Sequence, residues 1–134
     1  MPIRAGFQDL AGRGKAYMPN AIIDLAELLA RVENDRGLIR ELLLIFKDEF
    51  PGHVQALRDA VDSMDGDRVT AEAHTLKGML SNLAATSAAD AAARLEQLGQ
   101  NRETSKFQEA CSTFENVSKD LLLQLDACMA EVHG

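Results

Sequence analysis

From Asn20 onward the pattern is helical throughout, with apolar residues recurring in steps of three and four, the spacing of one buried face on an α-helix. Asp24-Leu25-Ala26-Glu27-Leu28-Leu29 predicts a short first helix, with Asp24 as N-cap and Glu27 three residues on, ending near Asn34. Asp35 opens a long second segment with apolar positions at 39, 43, 46, 50, 54, 57, 61 and 64. Pro51, followed by Gly52, lies inside it and predicts a kink or a split. Asp65-Gly66-Asp67 predicts a turn, and a third helix follows with Val69, Ala73, Leu76, Leu80 and Leu83 on one side. A short break over 84–87 separates it from a fourth helix carrying Ala88, Ala91, Leu95 and Leu98, which Gly99 is placed to end. The fifth stripe is Phe107, Cys111, Phe114, Val117 or Ser118, Leu121, Leu125, Cys128 and Val132. No segment shows the period-two alternation of a strand. The expected fold is all-α: an antiparallel four-helix bundle with a short additional N-terminal helix covering one end.

Residues 1–20 break this pattern. They hold Pro2, Gly6, Gly12, Gly14 and Pro19 without sustained periodicity, and three cations (Arg4, Arg13, Lys15) against one carboxylate (Asp9). They read as a linker-like arm, leaving 21–134 as the helical domain. At 134 residues the chain is long enough for one domain with its own core. The net charge of −7 argues against nucleic-acid and anionic-membrane partners, and the absence of Trp with a single Tyr argues against base-stacking. No apolar run suits membrane insertion and no secretion signal is visible, so a cytoplasmic location is expected. Cys111 and Cys128 fall on one helical pattern roughly 25 Å apart, beyond disulfide reach. His53, His74 and His133 are scattered, and no metal site is expected.

One residue does not fit the core. On the third helix His74 projects away from the stripe of Val69, Ala73, Leu76 and Leu80. It shares its face with Thr70, Ala71, Lys77, Gly78 and Ser81. A glycine inside a helix costs about 1 kcal/mol relative to alanine, so Gly78 suggests close approach by another backbone or a partner. A neutral imidazole is a good nucleophile near neutral pH and can accept a phosphoryl group on one ring nitrogen. An ammonium one turn away can lie beside the phosphate oxygens. Ser81 and Thr70 could donate hydrogen bonds, and Arg94 could approach from the next helix. A glycine-rich phosphate loop and a Walker-type motif are missing, so the site can carry a phosphoryl group but has little with which to activate a nucleotide.

The run Ala73-His74-Thr75-Leu76-Lys77-Gly78-Met79-Leu80-Ser81-Asn82-Leu83-Ala84-Ala85 resembles the signature of histidine-containing phosphotransfer (HPt) domains: A-H-x-L-K-G, three mostly small residues, then N-x-G-A. The likeness extends to Asp24-Leu25, Leu28-Leu29, Asp35, Arg40-Glu41-Leu42-Leu43, Phe46, Leu57, Ala60, Ala92 and Leu95-Glu96. Ala84 departs from it where glycine is usual, and Met79 and Leu80 are bulkier than the small residues expected.

The resemblance implies a phosphocarrier without its own nucleotide site or cofactor. His74 would be the phosphoacceptor, Lys77 the phosphate-stabilising lysine and Gly78 the clearance glycine. The partners would be receiver domains of response regulators or a hybrid sensor histidine kinase, with the receiver supplying Mg²⁺. Thr70, Ala71, Thr75, Met79, Ser81 and Asn82, with the first helix near Ile22–Leu29, form the expected docking patch, and a monomer is expected. Three alternatives remain at this level. They are the phosphoacceptor domain of a chemotaxis-type kinase, a helical adaptor that is never phosphorylated, and a bundle metalloprotein. The last would need inward-facing carboxylate and histidine sets.

Overall fold

A computed structural model of the protein describes residues 23–133, and the expectations for residues 1–20 lie outside these. The elements are α1 (Leu25–Arg31), α2 (Arg36–Asp62), α3 (Gly66–Asn82), α4 (Thr86–Gln100), a 3-10 turn at Thr104–Lys106, and α5 (Phe107–His133). Among the described residues there is no strand.

Three of the helices start on an aspartate. Asp24, Asp35 and Asp65 each take an extended backbone conformation and accept a hydrogen bond from the amide three residues on, Glu27, Leu38 and Arg68 respectively. Each satisfies a donor that the first turn leaves without an intrahelical partner. The Asp65 segment is therefore the entry to α3, with Gly66 as its first residue rather than part of a free turn.

The ends follow one rule as well. Glu33, Met64, Ala84 and Arg102, each two residues beyond the last helical position, adopt φ values of 53–55°. At each end two backbone bonds close the Schellman pattern; after α3 they run from Ala84 N to Ser81 O and from Ala85 N to Leu80 O. None of the four is glycine, so each accepts the left-handed strain that a Cβ brings. At Ala84 this is the position where the signature usually carries glycine.

Antiparallel neighbours α2–α3, α3–α4, α4–α5 and α5–α2 close a four-helix ring. Its core holds Ile39, Leu43, Phe46, Phe50 and Leu57 of α2 against the expected faces of α3, α4 and α5. Phe50 stacks on Phe46 at 4.5 Å and meets Phe114 of α5 at 6.4 Å. Burying each such side chain contributes about 1.5–3 kcal/mol. The short α1 straps the α3–α4 turn: Asp24 N donates to Ala84 O, and Arg31 Nη1 donates to Ser81 O at 2.8 Å.

Four expectations need correction. The helix does not split at Pro51; α2 is continuous through it. Pro51 faces solvent, where water can take the freed carbonyl, while Phe46, Phe50 and Leu57 hold both halves on the core. Met64 is 62% exposed, because the chain has already left the helix there. On α4 it is Ala89 and Ala92 that are buried, with Ala91 only half-buried. Gly99 stands one residue inside the end of α4 at Gln100, and it packs against α3.

Candidate functional site

Helix α3 is fixed in rotation by Val69, Ala73, Leu76 and Leu80, all fully buried. That orientation leaves the His74 side chain 68% exposed. Helix α4 approaches closely because its inner face is built from Ala88, Ala89, Ala92 and Gly99. A Cβ at Gly99 would come within 2.5 Å of Thr70 Oγ1 and 2.9 Å of Gly66 O, so only glycine fits this crossing.

One turn before Gly99 stands Glu96, whose side chain is 14% exposed. Its carboxylate spans both polar residues of α3. Oε2 lies 2.9 Å from His74 Nδ1 and Oε1 lies 2.6 Å from Lys77 Nζ. The Lys77 ammonium, reinforced by His74, holds the Glu96 carboxyl below its usual range, against the opposing effect of burial. Glu96 is therefore ionised at neutral pH. A carboxylate only accepts hydrogen bonds, so Nδ1 carries the proton and donates it to Oε2. The lone pair of the imidazole is then on Nε2.

The remaining residues divide. Ala71, Thr75, Gly78, Ser81 and Asn82 are exposed on α3. A Cβ at Gly78 would meet nothing within 4 Å, so no packing inside the chain requires glycine there. Met79 is half-buried and packs against the core. Thr70 turns into the α3–α4 crossing, where its hydroxyl donates to Gly66 O at 2.8 Å. It is not free to serve the exposed face as expected. The Thr75 hydroxyl is likewise engaged, donating to Ala71 O. Arg94 lines a separate open groove of about 470 Å³ with Asp90, Gln97 and Lys106.

Sequence reasoning missed the role of Glu96. It weighed Arg94, two residues away on the same helix and on a different face. The available signal was Glu96 itself, which stands within the stretch of likeness and at the margin of the buried stripe of α4.

A comparison with protein families matches the Hpt domain over residues 41–134, a span that includes His74, Lys77 and Glu96. The chain belongs to the Hpt domain family. Searches of curated proteins and of solved structures returned no match. Membership places this Hpt domain in histidine phosphotransfer within phosphorelay signalling, with receiver domains as the general class of partner. The bundle expected from periodicity is the architecture of the family, and no described helix is long and apolar enough to cross a membrane.

Proposed function

We propose that His74 is the phosphoacceptor of this Hpt domain, taking a phosphoryl group from a receiver aspartyl phosphate and passing it to another receiver aspartate. One observation carries the reading: His74 Nδ1 is held by Glu96 Oε2 at 2.9 Å while the ring stays exposed. The Nε2 lone pair attacks phosphorus, the N–P bond forms, and the P–O bond to the receiver carboxylate breaks. The aspartate leaves as a carboxylate, and the positive charge on the ring is stabilised through Nδ1–H by Glu96. Transfer onward reverses these steps.

Lys77, on the same side of α3, provides the cation for the phosphoryl oxygens. Gly78, with no internal reason to be glycine, leaves room for the incoming receiver. Ala71, Thr75, Ser81 and Asn82 surround it as small, exposed contacts, and Met79 borders them. The receiver would supply Mg²⁺ and the groups that activate its own aspartate.

The test is incubation with a phosphorylated receiver domain, followed by intact mass and ³¹P NMR, with His74→Gln as control. An acid-labile gain of one phosphoryl group, lost in the variant, is expected. A folded wild-type protein that takes no phosphoryl group would overturn the assignment.

A further inference from the structure

Lys77 is already engaged before any phosphoryl group arrives. Its Nζ is 2.6 Å from Glu96 Oε1, and Glu96 is the more buried partner, 14% exposed against 36%. The same carboxylate holds His74. A phosphoryl group on Nε2 introduces about two negative charges near this cluster. Lys77 then has two anions to serve. If it moves to the phosphoryl oxygens, a largely buried carboxylate keeps only the imidazole N–H. If it stays, the phosphoryl group lacks that cation. Either way one of the two anions is left without the lysine, a conflict that the unphosphorylated state does not have.

We propose that Glu96 tunes the phosphoryl-transfer potential of His74 by competing with the phosphoryl group for Lys77. This rests on His74 being the phosphoacceptor. Glu96 is a positioning residue here: it makes no bond to phosphorus. Through Nδ1–H its charge supports the positive ring, while its hold on Lys77 withholds that cation from the phosphoryl oxygens; the second effect outweighs the first and favours release of the group over storage. A glutamine at this position would keep an oxygen to accept from Nδ1–H and would lose the charge.

The experiment uses phosphoryl exchange with N-phosphoimidazole. In it the N–P bond of the small molecule breaks, the bond to His74 Nε2 forms, and free imidazole is the co-product. Like bonds are exchanged, so the equilibrium constant, read by ³¹P NMR at pH 8, reports the site alone. Glu96→Gln is expected to shift it toward phosphoprotein by roughly three- to tenfold. The shift should shrink by at least half in a Lys77→Ala background, because the competition then has no lysine to contest.

Ring-nitrogen NMR of His74 in Glu96→Gln verifies that Nδ1–H is retained. With that tautomer retained, an unchanged constant, or a shift toward free protein, would overturn the proposal, as would a shift equally large without Lys77. A changed tautomer would overturn it too, since the glutamate's role would then be held in the tautomer. Exchange that responds as expected in a protein that no receiver phosphorylates would support the proposal and defeat the relay assignment, so the two failures are distinguishable.

Discussion

The α3–α4 pair and the α2–α5 pair solve the same packing problem differently. The first is short, 17 and 15 residues, and meets through Gly66, Gly99 and a row of alanines. The second is two helices of 27 residues with large side chains between them, Phe46, Phe50 and Phe114 among others. Polar pairs tie the long helices from outside the core. Arg58 grips Glu115 through two bonds at 2.6 and 3.1 Å, and Lys47 meets Asp126 at 2.8 Å. The polar groups of the short pair are instead gathered on one carboxylate between His74 and Lys77. Small residues let two backbones come close, and close backbones set the distance between side chains to within a fraction of an ångström. Large side chains supply burial and tolerate adjustment. The proposed chemistry is on the pair that cannot adjust.

The strongest way to break this contrast is Gly99→Ala. The added Cβ meets two backbone atoms at 2.9 Å as well as the Thr70 hydroxyl, so the helices must part. A loss of about 2 kcal/mol in urea unfolding is expected. Because Glu96 is one turn away, the His74–Glu96 bond should lengthen as well, and ring-nitrogen NMR of His74 should report it. Full stability with an unchanged His74 signature would show that the crossing is not what sets the site.

On the long pair the corresponding change is Arg58→Ala. Arg58 also bonds Gln108 at 2.7 Å and Asp62 at 3.3 Å, and its guanidinium side chain is only 22% exposed. Removing it strands Glu115, which is about as sheltered, and should cost about 1–2 kcal/mol. The neighbouring Cys111 thiol, pushed up to about 11 by burial, stays neutral near pH 7 and offers no substitute. Phosphorylation of the folded variant should match wild type. An effect on His74 chemistry as large as that of Gly99→Ala would erase the distinction between the pairs.

The legibility of the sequence follows the same division. Starts were readable at Asp24 and Asp35, which act through bonds to amides three residues away, so local order suffices; the same bond at Asp65 lay hidden in an expected turn. The buried stripes of α2 and α5 were readable because large side chains at helical spacing leave a strong pattern. Stops were readable only to within a few residues, since Glu33, Met64, Ala84 and Arg102 occupy positions where glycine is the usual signal. The glycines themselves misled. Gly99 suggests an end and is a crossing point; Gly66 suggests a turn and is the first residue of α3. His74, Lys77 and Gly78 were legible as one helical face. Glu96 was not, because its meeting with them depends on the register of α4 against α3. That register is set by Gly66, Thr70 and Gly99 together.

Gly78 sharpens the comparison from the other side. It is on α3, like Gly66, yet a Cβ there meets nothing. Gly78→Ala should therefore raise stability by about 0.5–1 kcal/mol, through restricted unfolded chain and better helix propensity. Transfer from a phosphorylated receiver should slow, while chemical phosphorylation by a small donor should not. A slowed reaction with both donors would mean that the methyl disturbs His74 itself. The two glycine variants are thus predicted to move stability in opposite directions, and one unfolding experiment on both separates internal from external need.

The smallest effect is expected for Lys47→Ala. Lys47 and Asp126 are 50% and 60% exposed, so water and salt screen their attraction, and fixing two long side chains offsets part of it. A loss of no more than about 0.5 kcal/mol is expected, shrinking further at high salt. The pair has a bond length similar to that between Arg58 and Glu115, and differs from it chiefly in exposure. If Lys47→Ala cost as much as Arg58→Ala, burial would not be what gives the polar ties of the long pair their strength. A small, salt-sensitive loss would leave the hydrophobic seam and the sheltered Arg58 cluster as what holds α2 to α5.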